Sequence, residues 1–513
     1  MRTPLTIGGH LDRAALVYGD RIGIVDEPDP PGGGLGAVTY RRMQEMATGQ
    51  AAALDERGID RRERVAILSQ NSGRLLTSFF GVSGFGRVLV PINFRLSPTE
   101  IEYIVGHSGA SVLLVDPELA DSVAHIEVKH RVVLGTDTDE EVFGDGSRQP
   151  EPWADPDEDA TATINYTSGT TARPKGVELT HRNLWTNSAT FGWHTGVSDR
   201  DVYLHTLPMF HCNGWGMPYA LAAMGVPQVV LRKTEGPEIL RRIEEHGVTL
   251  LCAAPAVVAM ALEAAAAWDG PIPGRDRVRI VVAGAPPPTR TIERIETELG
   301  WEMIQIYGLT ETAPLLTINR SRQEWDDLAP SERAAKLARA GVPAVGIEIA
   351  ISDQGEVLSR GNHMLKSYWD QPEATTDVFE GGWFHTGDGG EVDEGGYLTI
   401  SDRKKDVIIT GGENVSSIEV EDALFSHPAV AEVAVIGVPD ERWGETVKAL
   451  VVLAEGAHAT EAELRAWCKE RLAGFKCPTS VELREELART ATGKLQKFKL
   501  RAPYWEGRDR QVS

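Results

Sequence analysis

The sequence predicts an α/β protein with a large N-terminal portion of several sheets and a small, mobile α+β unit at the C-terminal end. Three observations support this prediction. The chain has 513 residues, more than the roughly 100 to 200 usual for one domain. Short β-branched runs alternate with helical segments over the first several hundred residues, and this texture changes after about residue 400.

Strands of the N-terminal portion are expected where β-branched residues cluster, between segments with helical texture such as 239–247. Alternation of this kind favours parallel strands with helices packed on them. The most apolar run, 253–268, is too short to span a membrane and predicts a buried helix. The clearest strand-like runs are RVAIL at 64–68, SVLLV at 111–115 and RIVVAG at 279–284.

The C-terminal unit is expected to contain two helices and two strands. GGENVSS at 411–417 leads into the helix-like IEVEDALFSHP, and AEVAVIGV and TVKALVVLA then have strand texture. Thr460 and Glu463 have capping-box spacing ahead of the second helix. The charged segment SDRKKD at 401–406 separates the alternating strand and helix pattern of the N-terminal portion from the different pattern of the C-terminal unit. We therefore predict one domain over residues 1–402 and a second over 403–513.

The charge balance excludes some classes of partner. Lys and Arg number 52 against 75 Asp and Glu, a net charge of −23, which opposes non-specific attraction to nucleic acid or anionic lipid. Four widely spaced cysteines indicate reduced thiols rather than a disulfide framework, and they show no metal-binding spacing. Because the N-terminus also lacks the apolar stretch of a secretory signal, we expect a cytoplasmic protein without a transmembrane segment.

TSGTTARPKG at 167–176 is rich in glycine and hydroxyl side chains and lies between two strand-like runs. Thr180 follows the second run and is placed to cap a helix. The loop is either a plain hairpin connection or a phosphate site, because glycines let backbone amides converge on an anion while Lys175 adds charge. A Walker-type phosphate loop does not fit, since Pro174 precedes Lys175 and Gly176 starts a strand.

Four further motifs complete a pattern: QIYGLTET at 305–312, GWFHTGD at 382–388, SDRKKDVIITGGEN at 401–414 and ARTATGKLQKFKLR at 488–501. In this order and spacing the five motifs resemble the adenylate-forming superfamily of acyl-CoA synthetases, aryl-CoA ligases, luciferases and peptide-synthetase adenylation domains. The resemblance implies that a carboxylic acid attacks the α-phosphorus of Mg-ATP to give an acyl-adenylate and pyrophosphate. A thiol then takes the acyl group. ATP, Mg²⁺ and coenzyme A are the implied cofactor and co-substrates.

The resemblance also implies a nucleotide site. Thr310 and Glu311 would face the α-phosphate, with Glu311 holding Mg²⁺, and Asp388 and Arg403 would bind the ribose hydroxyls. The tyrosine of QIYG would cover the adenine, opposite the AGAPPP segment. The residues implied to wrap the β- and γ-phosphates are Thr167, Ser168, Gly169, Thr170, Thr171 and Lys175. Those implied to line the rest of the AMP pocket are Gly284, Ala285, Pro286, Gln305, Tyr307 and Gly308.

By the same resemblance, Lys494 would reach the α-phosphate and the carboxylate during adenylation. A thiol approaches the same carbon only after that lysine leaves, so the C-terminal domain is expected to rotate between the two steps. Lys405 matches the hinge position. Gly411, Gly412 and Glu413 would then form part of the channel for the coenzyme A arm, where glycine lets the backbone approach a narrow ligand.

LPMFHCNGWGMPY at 207–219 matches the segment at the mouth of the family's acyl pocket. The resemblance implies that His211 gates this pocket and that Trp215 forms its floor. The sequence of this segment is most similar to that of enzymes that activate medium-chain fatty, short branched and aromatic acids. Free coenzyme A is the expected acceptor, because GGENVSSIEVE and LARTATGKLQKFKLR resemble the CoA ligases more than the carrier-protein-loading domains. A homodimer is a further expectation. Position alone suggests that the coenzyme A phosphates meet Lys469, Arg471 and Lys476.

Three other functions stay open at this stage. The nearest is an adenylating enzyme with another second step, such as loading of a carrier protein or oxidation of the adenylate. A phosphoryl-transferring P-loop ATPase would release ADP and phosphate instead of AMP and pyrophosphate. A nucleotide-binding sensor would keep the pocket without the chemistry.

Overall fold

The strands of the N-terminal portion form where the β-branched runs predict them. The structure, a computed structural model, describes residues 2–167, 174–403, 406–410, 413–440, 443–489 and 495–506. Arg64–Leu68, Ala110–Val115 and Arg279–Val282 are strands, each paired in parallel with a neighbour. Because these strands are covered on both faces, they carry continuous apolar runs instead of alternating ones.

In chain order, the strands of the described residues are β1 (Ile22–Val25), β2 (Ala37–Thr39), β3 (Arg64–Leu68), β4 (Val88–Ile92), β5 (Ala110–Val115), β6 (His130–Val133), β7 (Thr161–Thr167), β8 (Lys175–Thr180), β9 (Tyr203–His205), β10 (Gln228–Val230), β11 (Leu250–Ala253), β12 (Arg279–Val282), β13 (Glu302–Gly308), β14 (Leu315–Arg320), β15 (Val342–Pro343), β16 (Ile347–Ile351), β17 (Glu356–Gly361), β18 (Ser367–Tyr368), β19 (Phe384–Val392), β20 (Leu398–Arg403), β21 (Ile408–Thr410), β22 (Glu413–Val415), β23 (Val430–Asp440), β24 (Gly444–Leu453) and β25 (Ser480–Leu483).

The helices, in the same part of the chain, are α1 (Gly8–Tyr18), α2 (Tyr40–Glu56), α3 (Gly73–Gly81), α4 (Pro98–Ser108), α5 (Asp139–Val142), α6 (His181–Thr195), the short turn α7 (Cys212–Trp215), α8 (Met217–Met224), α9 (Gly236–His246), α10 (Pro255–Ala266), α11 (Thr289–Arg294), α12 (Pro330–Leu337), α13 (Pro372–Val378), α14 (Ser417–Phe425), α15 (Glu461–Lys469) and α16 (Lys497–Arg501).

Two large sheets build the N-terminal domain. One has nine strands in the order β15-β14-β13-β12-β11-β9-β10-β1-β2, and the other has seven in the order β18-β8-β7-β4-β3-β5-β6. Neighbours from β13 to β1 in the first sheet, and from β7 to β6 in the second, run parallel. One continuous core joins the inner faces of both sheets to α1, α2, α3, α6 and α8.

The C-terminal part has its own sheet and core. The antiparallel sheet β16-β17-β19-β20 ends the N-terminal portion, and β21 to β25 form a separate five-stranded sheet. The predicted capping box is present, since the Glu463 amide donates to Thr460 Oγ1 at 3.3 Å and Thr460 N donates to Glu463 Oε2 at 2.8 Å. The predicted fold class, a large multi-sheet α/β domain followed by a small C-terminal domain, is confirmed.

One expectation for a single element needs correction. The apolar run at 253–268 does form a helix, α10, but only one face of it is buried, through Val258, Ala261 and Leu262. Met260 on another face is 42% exposed. The run contains many alanines, and a helix of small side chains covers one side of a sheet without being enclosed.

Candidate active site

The residues of the predicted adenine pocket meet at the carboxyl ends of β12 and β13. Val282 and Gln305 are partners across these parallel strands, so the segments that follow them lie side by side. Gly284, Ala285 and Pro286 are exposed, and Gly284 has φ +94° with no atom near its missing Cβ. Ligands of open parallel sheets bind at this edge. An exposed loop that contains Gly284 therefore lies next to the end of β13.

Tyr307, at the end of β13, hydrogen-bonds to the carboxylate predicted to hold the ribose. Its hydroxyl donates to Asp388 Oδ2 at 2.8 Å, across 81 residues of sequence. Asp388 is 7% exposed and lies opposite Arg403 in the pairing of β19 with β20. The fold therefore brings three of the predicted nucleotide residues to one place, from three different strands.

A second cluster lies beyond Gly308, where Thr310–Thr312 forms one 3₁₀ turn. The Tyr368 hydroxyl donates to Glu311 Oε1 at 2.9 Å, and Lys175 Nζ lies 4.7 Å from the centre of the Tyr368 ring. Burial raises the pKa of Tyr368, and the Glu311 carboxylate raises it further, so the phenol keeps its proton and donates. Sequence analysis singled out Lys175 and Glu311 but missed Tyr368.

The predicted phosphate loop is anchored by a β-hairpin. Thr167 and Lys175 are partners at the ends of β7 and β8, and the predicted cap is present because Thr180 Oγ1 accepts from the Asn183 amide at 3.1 Å. This hairpin geometry is compatible both with a plain hairpin connection and with a phosphate site. Ser168, Gly169, Thr170 and Thr171 lie outside the described residues, as do Lys405, Gly411, Gly412 and Lys494. Glu413 is exposed at the start of β22.

The segment predicted to border the acyl pocket has an unusual backbone. His211 is half-buried and Trp215 is 3% exposed. Each non-glycine residue in the left-handed region costs roughly 1 to 2 kcal/mol, so a run of them requires strong support from its surroundings. The left-handed residues are Cys212 (φ 46°), Asn213 (φ 52°), Gly214 (φ 58°), Trp215 (φ 61°) and Gly216 (φ 76°).

Buried amide side chains supply that support. Asn213 Nδ2 donates to Thr163 Oγ1 at 3.0 Å, and Asn165 Nδ2 donates to Asn213 Oδ1 at 3.0 Å. Asn187 Nδ2 donates to the Trp215 carbonyl at 3.3 Å. Thr163 and Asn165 lie on β7, so the strand that leads into the phosphate loop also holds residues 207–219, the acyl segment. No pattern in the sequence marked this network.

Cys212 joins the acyl segment to the turn that carries Glu311. Its Sγ lies 3.9 Å from the Thr310 carbonyl oxygen. Burial raises the pKa of the Cys212 thiol, and the charge of Glu311 adds to the effect, so the thiol stays neutral. Cys212 is 2% exposed and packs in the main core.

Two features lie away from this cluster. A cavity of about 620 Å³ opens at the amino ends of β12 and β13, the opposite edge from Tyr307, and its Arg279 and Arg333 are paired with Asp201 and Glu296. Among the cations suggested for coenzyme A, Lys476 Nζ bonds both oxygens of Glu419 at 2.8 and 2.7 Å. A phosphate would have to compete with this carboxylate for the Lys476 ammonium.

Comparisons with known proteins give the family. AMP-binding enzymes match residues 10–369, and the C-terminal domain of AMP-binding enzymes matches residues 419–494. The chain belongs to the AMP-binding enzyme family. A relative of this AMP-binding enzyme, 4-hydroxybutyrate–CoA ligase 2 of Metallosphaera sedula, is 39% identical, and the match covers 97% of the chain and 94% of the relative. The 2-methylpropanoate–CoA ligase of Humulus lupulus is 36% identical, covering 97% and 95%.

Solved structures agree. The o-succinylbenzoate CoA synthetase of Bacillus subtilis, in complex with its acyl-adenylate intermediate, is 30% identical with a TM-score of 0.82, covering 96% of this chain and 97% of that one. The same enzyme in complex with ATP and magnesium has a TM-score of 0.80 at 29% identity, covering 96% and 98%. The predicted superfamily and enzyme class, an AMP-forming acyl-CoA synthetase, are confirmed.

Cellular location stays a prediction. No helix in the described part of the chain combines the length and the apolar character needed to cross a bilayer. A relative from Arabidopsis thaliana, 37% identical over 97% of the chain and 95% of its own length, is named probable acyl-activating enzyme 5, peroxisomal. The name of that relative does not match the cytoplasmic location that the sequence predicted.

Proposed function

We propose that this AMP-binding enzyme is an acid:CoA ligase that uses Mg-ATP to convert a carboxylic acid to acyl-AMP and then transfers the acyl group to coenzyme A. The products would be pyrophosphate in the first step, and acyl-CoA and AMP in the second. One observation carries the proposal. Tyr368 contacts both Lys175 and Glu311, and four residues before Glu311 the Tyr307 hydroxyl donates to Asp388, so side chains from distant segments of the chain meet around the end of β13. An acidic chain needs such local cations and donors to bind a triphosphate.

The residues have separate tasks in this proposal. Lys175 would hold the departing phosphates, and Asp388 with Arg403 would hold the ribose. The buried Asp388 carboxylate accepts a hydrogen bond from the Tyr307 hydroxyl, and a ribose hydroxyl would donate to it in the same way. Lys494 would bridge the α-phosphate and the acid, because one ammonium group offsets the repulsion between two anions.

Magnesium fits the donor chemistry of this edge. Among the described residues, no group of three or more His, Cys, Asp or Glu side chains is arranged to hold a metal ion. Mg²⁺ in nucleotide sites is usually bound by one or two carboxylates together with substrate phosphates, and Glu311 supplies such a carboxylate. When bound, the ion would neutralise charge on the phosphate oxygens.

We also propose that residues 403–513 rotate against residues 1–402 between the two steps, with the hinge at Lys405. Sheet membership changes across this segment, because β20 pairs with β19 while β21 pairs with β24. Polar contacts cross between the parts, since the amide and Oγ1 of Thr289 lie 2.9 and 3.2 Å from the carboxylate oxygens of Asp422. Polar interfaces between domains are compatible with relative motion.

For the acid, we propose a short aliphatic substrate. This retains the short branched class that the sequence suggested and adds short straight-chain acids, which it did not. The two CoA ligases compared above are named for four-carbon acids. The Trp215 ring is buried in the main core and would give the pocket a fixed floor. A hydrophobic pocket discriminates one methylene by only about 1 to 3 kcal/mol, so a range of neighbouring acids is expected.

An acid panel tests this function. Purified protein is given ATP, Mg²⁺, coenzyme A and aliphatic acids of increasing length plus aromatic acids, and acid-dependent AMP release is measured. AMP release should peak with four-carbon acids, and a thioester of matching mass should appear. Pyrophosphate exchange into ATP isolates the first step, and its absence with every acid contradicts the proposal. AMP release without a thioester indicates another acceptor.

Lys175 gives a second prediction. Replacing Lys175 by alanine should slow adenylation by about 100-fold, because removal of one preorganised donor to developing charge typically costs that much. Thioester formation from supplied acyl-AMP should change little, since pyrophosphate has already left. Single-turnover measurement of each half-reaction checks this. Lys366→Ala, at an exposed lysine next to β18, is the control, and equal losses in both half-reactions would refute the role.

A further inference from the structure

Tyr368 contacts two charged groups that come from different parts of the chain. Its hydroxyl donates to Glu311 Oε1 at 2.9 Å. The face of its ring lies 4.7 Å from Lys175 Nζ, within the range of a cation–π contact. The side chain is 7% exposed. One aromatic residue therefore touches both the cation and the carboxylate that the proposed function places at the phosphates.

The backbone holds Tyr368 in this position from several sides. Tyr368 and Ser367 form β18, which pairs antiparallel with β8, the strand that begins at Lys175. The Leu365 amide donates to the Glu311 carbonyl at 2.7 Å, and the Trp369 amide donates to the Gly176 carbonyl at 2.7 Å. The residues around Tyr368 are thus bonded to the backbone of Glu311 itself and to that of Gly176, which follows Lys175.

We propose that Tyr368 is a positioning residue for the triphosphate site, in which its hydroxyl sets the orientation of the Glu311 carboxylate and its ring sets the position of the Lys175 ammonium. This inference rests on the proposed function. The two roles belong to different parts of one side chain, so they are separable by substitution.

The hydroxyl matters most for Mg²⁺. This ion demands a nearly ideal octahedral arrangement of its ligands, so a carboxylate that rotates freely binds it poorly. Outer-shell hydrogen bonds that orient a ligand typically change metal affinity by about 10- to 100-fold. The ring matters for the phosphates, because the cation–π contact holds a flexible lysine side chain near the anion before the anion arrives.

Two variants separate the roles. Tyr368→Phe keeps the ring and removes the hydroxyl, whereas Tyr368→Leu removes both. Tyr504→Phe is the matched control, because the Tyr504 hydroxyl donates to Glu482 Oε2 at 2.6 Å in the C-terminal domain. This control removes a phenol–carboxylate hydrogen bond of the same kind from another sheet.

ATP binding is measured by titration calorimetry without acid or coenzyme A, over a series of Mg²⁺ concentrations. For Tyr368→Phe we expect unchanged ATP affinity without metal, and about a tenfold higher Mg²⁺ concentration for half-maximal enhancement of binding. Tyr368→Leu should also weaken metal-free ATP binding, and Tyr504→Phe should behave as wild type. If Tyr368→Leu does not fold, the comparison between the two phenylalanine variants still decides the role of the hydroxyl.

The outcomes distinguish the two proposals. Wild-type Mg²⁺ dependence in Tyr368→Phe would overturn the role of the hydroxyl while leaving the proposed function intact. Metal-free ATP affinity that is unchanged in a folded Tyr368→Leu protein would overturn the role of the ring. Failure of the wild-type protein to bind ATP at any Mg²⁺ concentration would overturn the proposed function together with this inference.

Discussion

Replacing Lys494 by alanine is expected to abolish acyl-AMP formation and to spare thioester formation from supplied acyl-AMP. Without the lysine, the acid and the triphosphate repel each other at the moment of attack, and the proposed mechanism assigns no other residue to bridge them. Loss of a group that stabilises developing charge typically reduces the rate by about 100- to 1000-fold. Rapid-quench measurement of each half-reaction with the proposed four-carbon acids checks this expectation.

Lys499→Ala is the matched control for this experiment. Lys499 lies on α16 in the same C-terminal segment and is exposed, so its removal changes the net charge equally without removing a reacting group. The control should keep both half-reactions. Loss of both half-reactions in Lys494→Ala would show that the lysine holds the domain together instead of serving the first step.

Replacing Gly308 by alanine is expected to destabilise the N-terminal domain strongly. A Cβ at this position would lie 1.6 Å from the Pro314 carbonyl oxygen and 2.7 Å from its carbon, so the backbone itself must move. Gly308 is paired with Leu315 where the register of β13 and β14 shifts. Forced overpacking commonly costs about 1 to 3 kcal/mol, and a clash with backbone should reach or exceed the upper value.

Thermal and denaturant unfolding measure this loss, and the folded fraction is then tested for pyrophosphate exchange. Gly308 lies between Tyr307 and the 3₁₀ turn that carries Glu311. A backbone shift at Gly308 should therefore also weaken ATP binding. Gly106→Ala is the control, since Gly106 lies in α4 and a Cβ there meets no atom within 4 Å. If Gly308→Ala keeps the wild-type stability and the wild-type rate of pyrophosphate exchange, the backbone around Gly308 accommodates the added methyl group and the prediction is wrong.

The resemblance implies roles for the motif residues, but it does not indicate which other side chains contact them. Lys175 and Glu311 lie in recognisable motifs, but Tyr368 belongs to a strand of two residues with no periodic pattern. Thr163 and Asn165 lie in β7, where a strand was predicted, yet the sequence does not show that their side chains meet Asn213. Apolar composition at 253–268 predicted a helix correctly but overestimated its burial, since composition does not report which face has a partner.

By itself, the sequence determined the alternation of strands and helices, the two-domain character and the membership of the family. These properties depend on local patterning and on motif spacing, both of which are present in the order of the residues. Only the tertiary structure decided which side chain lies between Lys175 and Glu311, and what holds the left-handed acyl segment. Such contacts join positions far apart in the chain, and their geometry is set by strand pairing and packing, which local pattern does not encode.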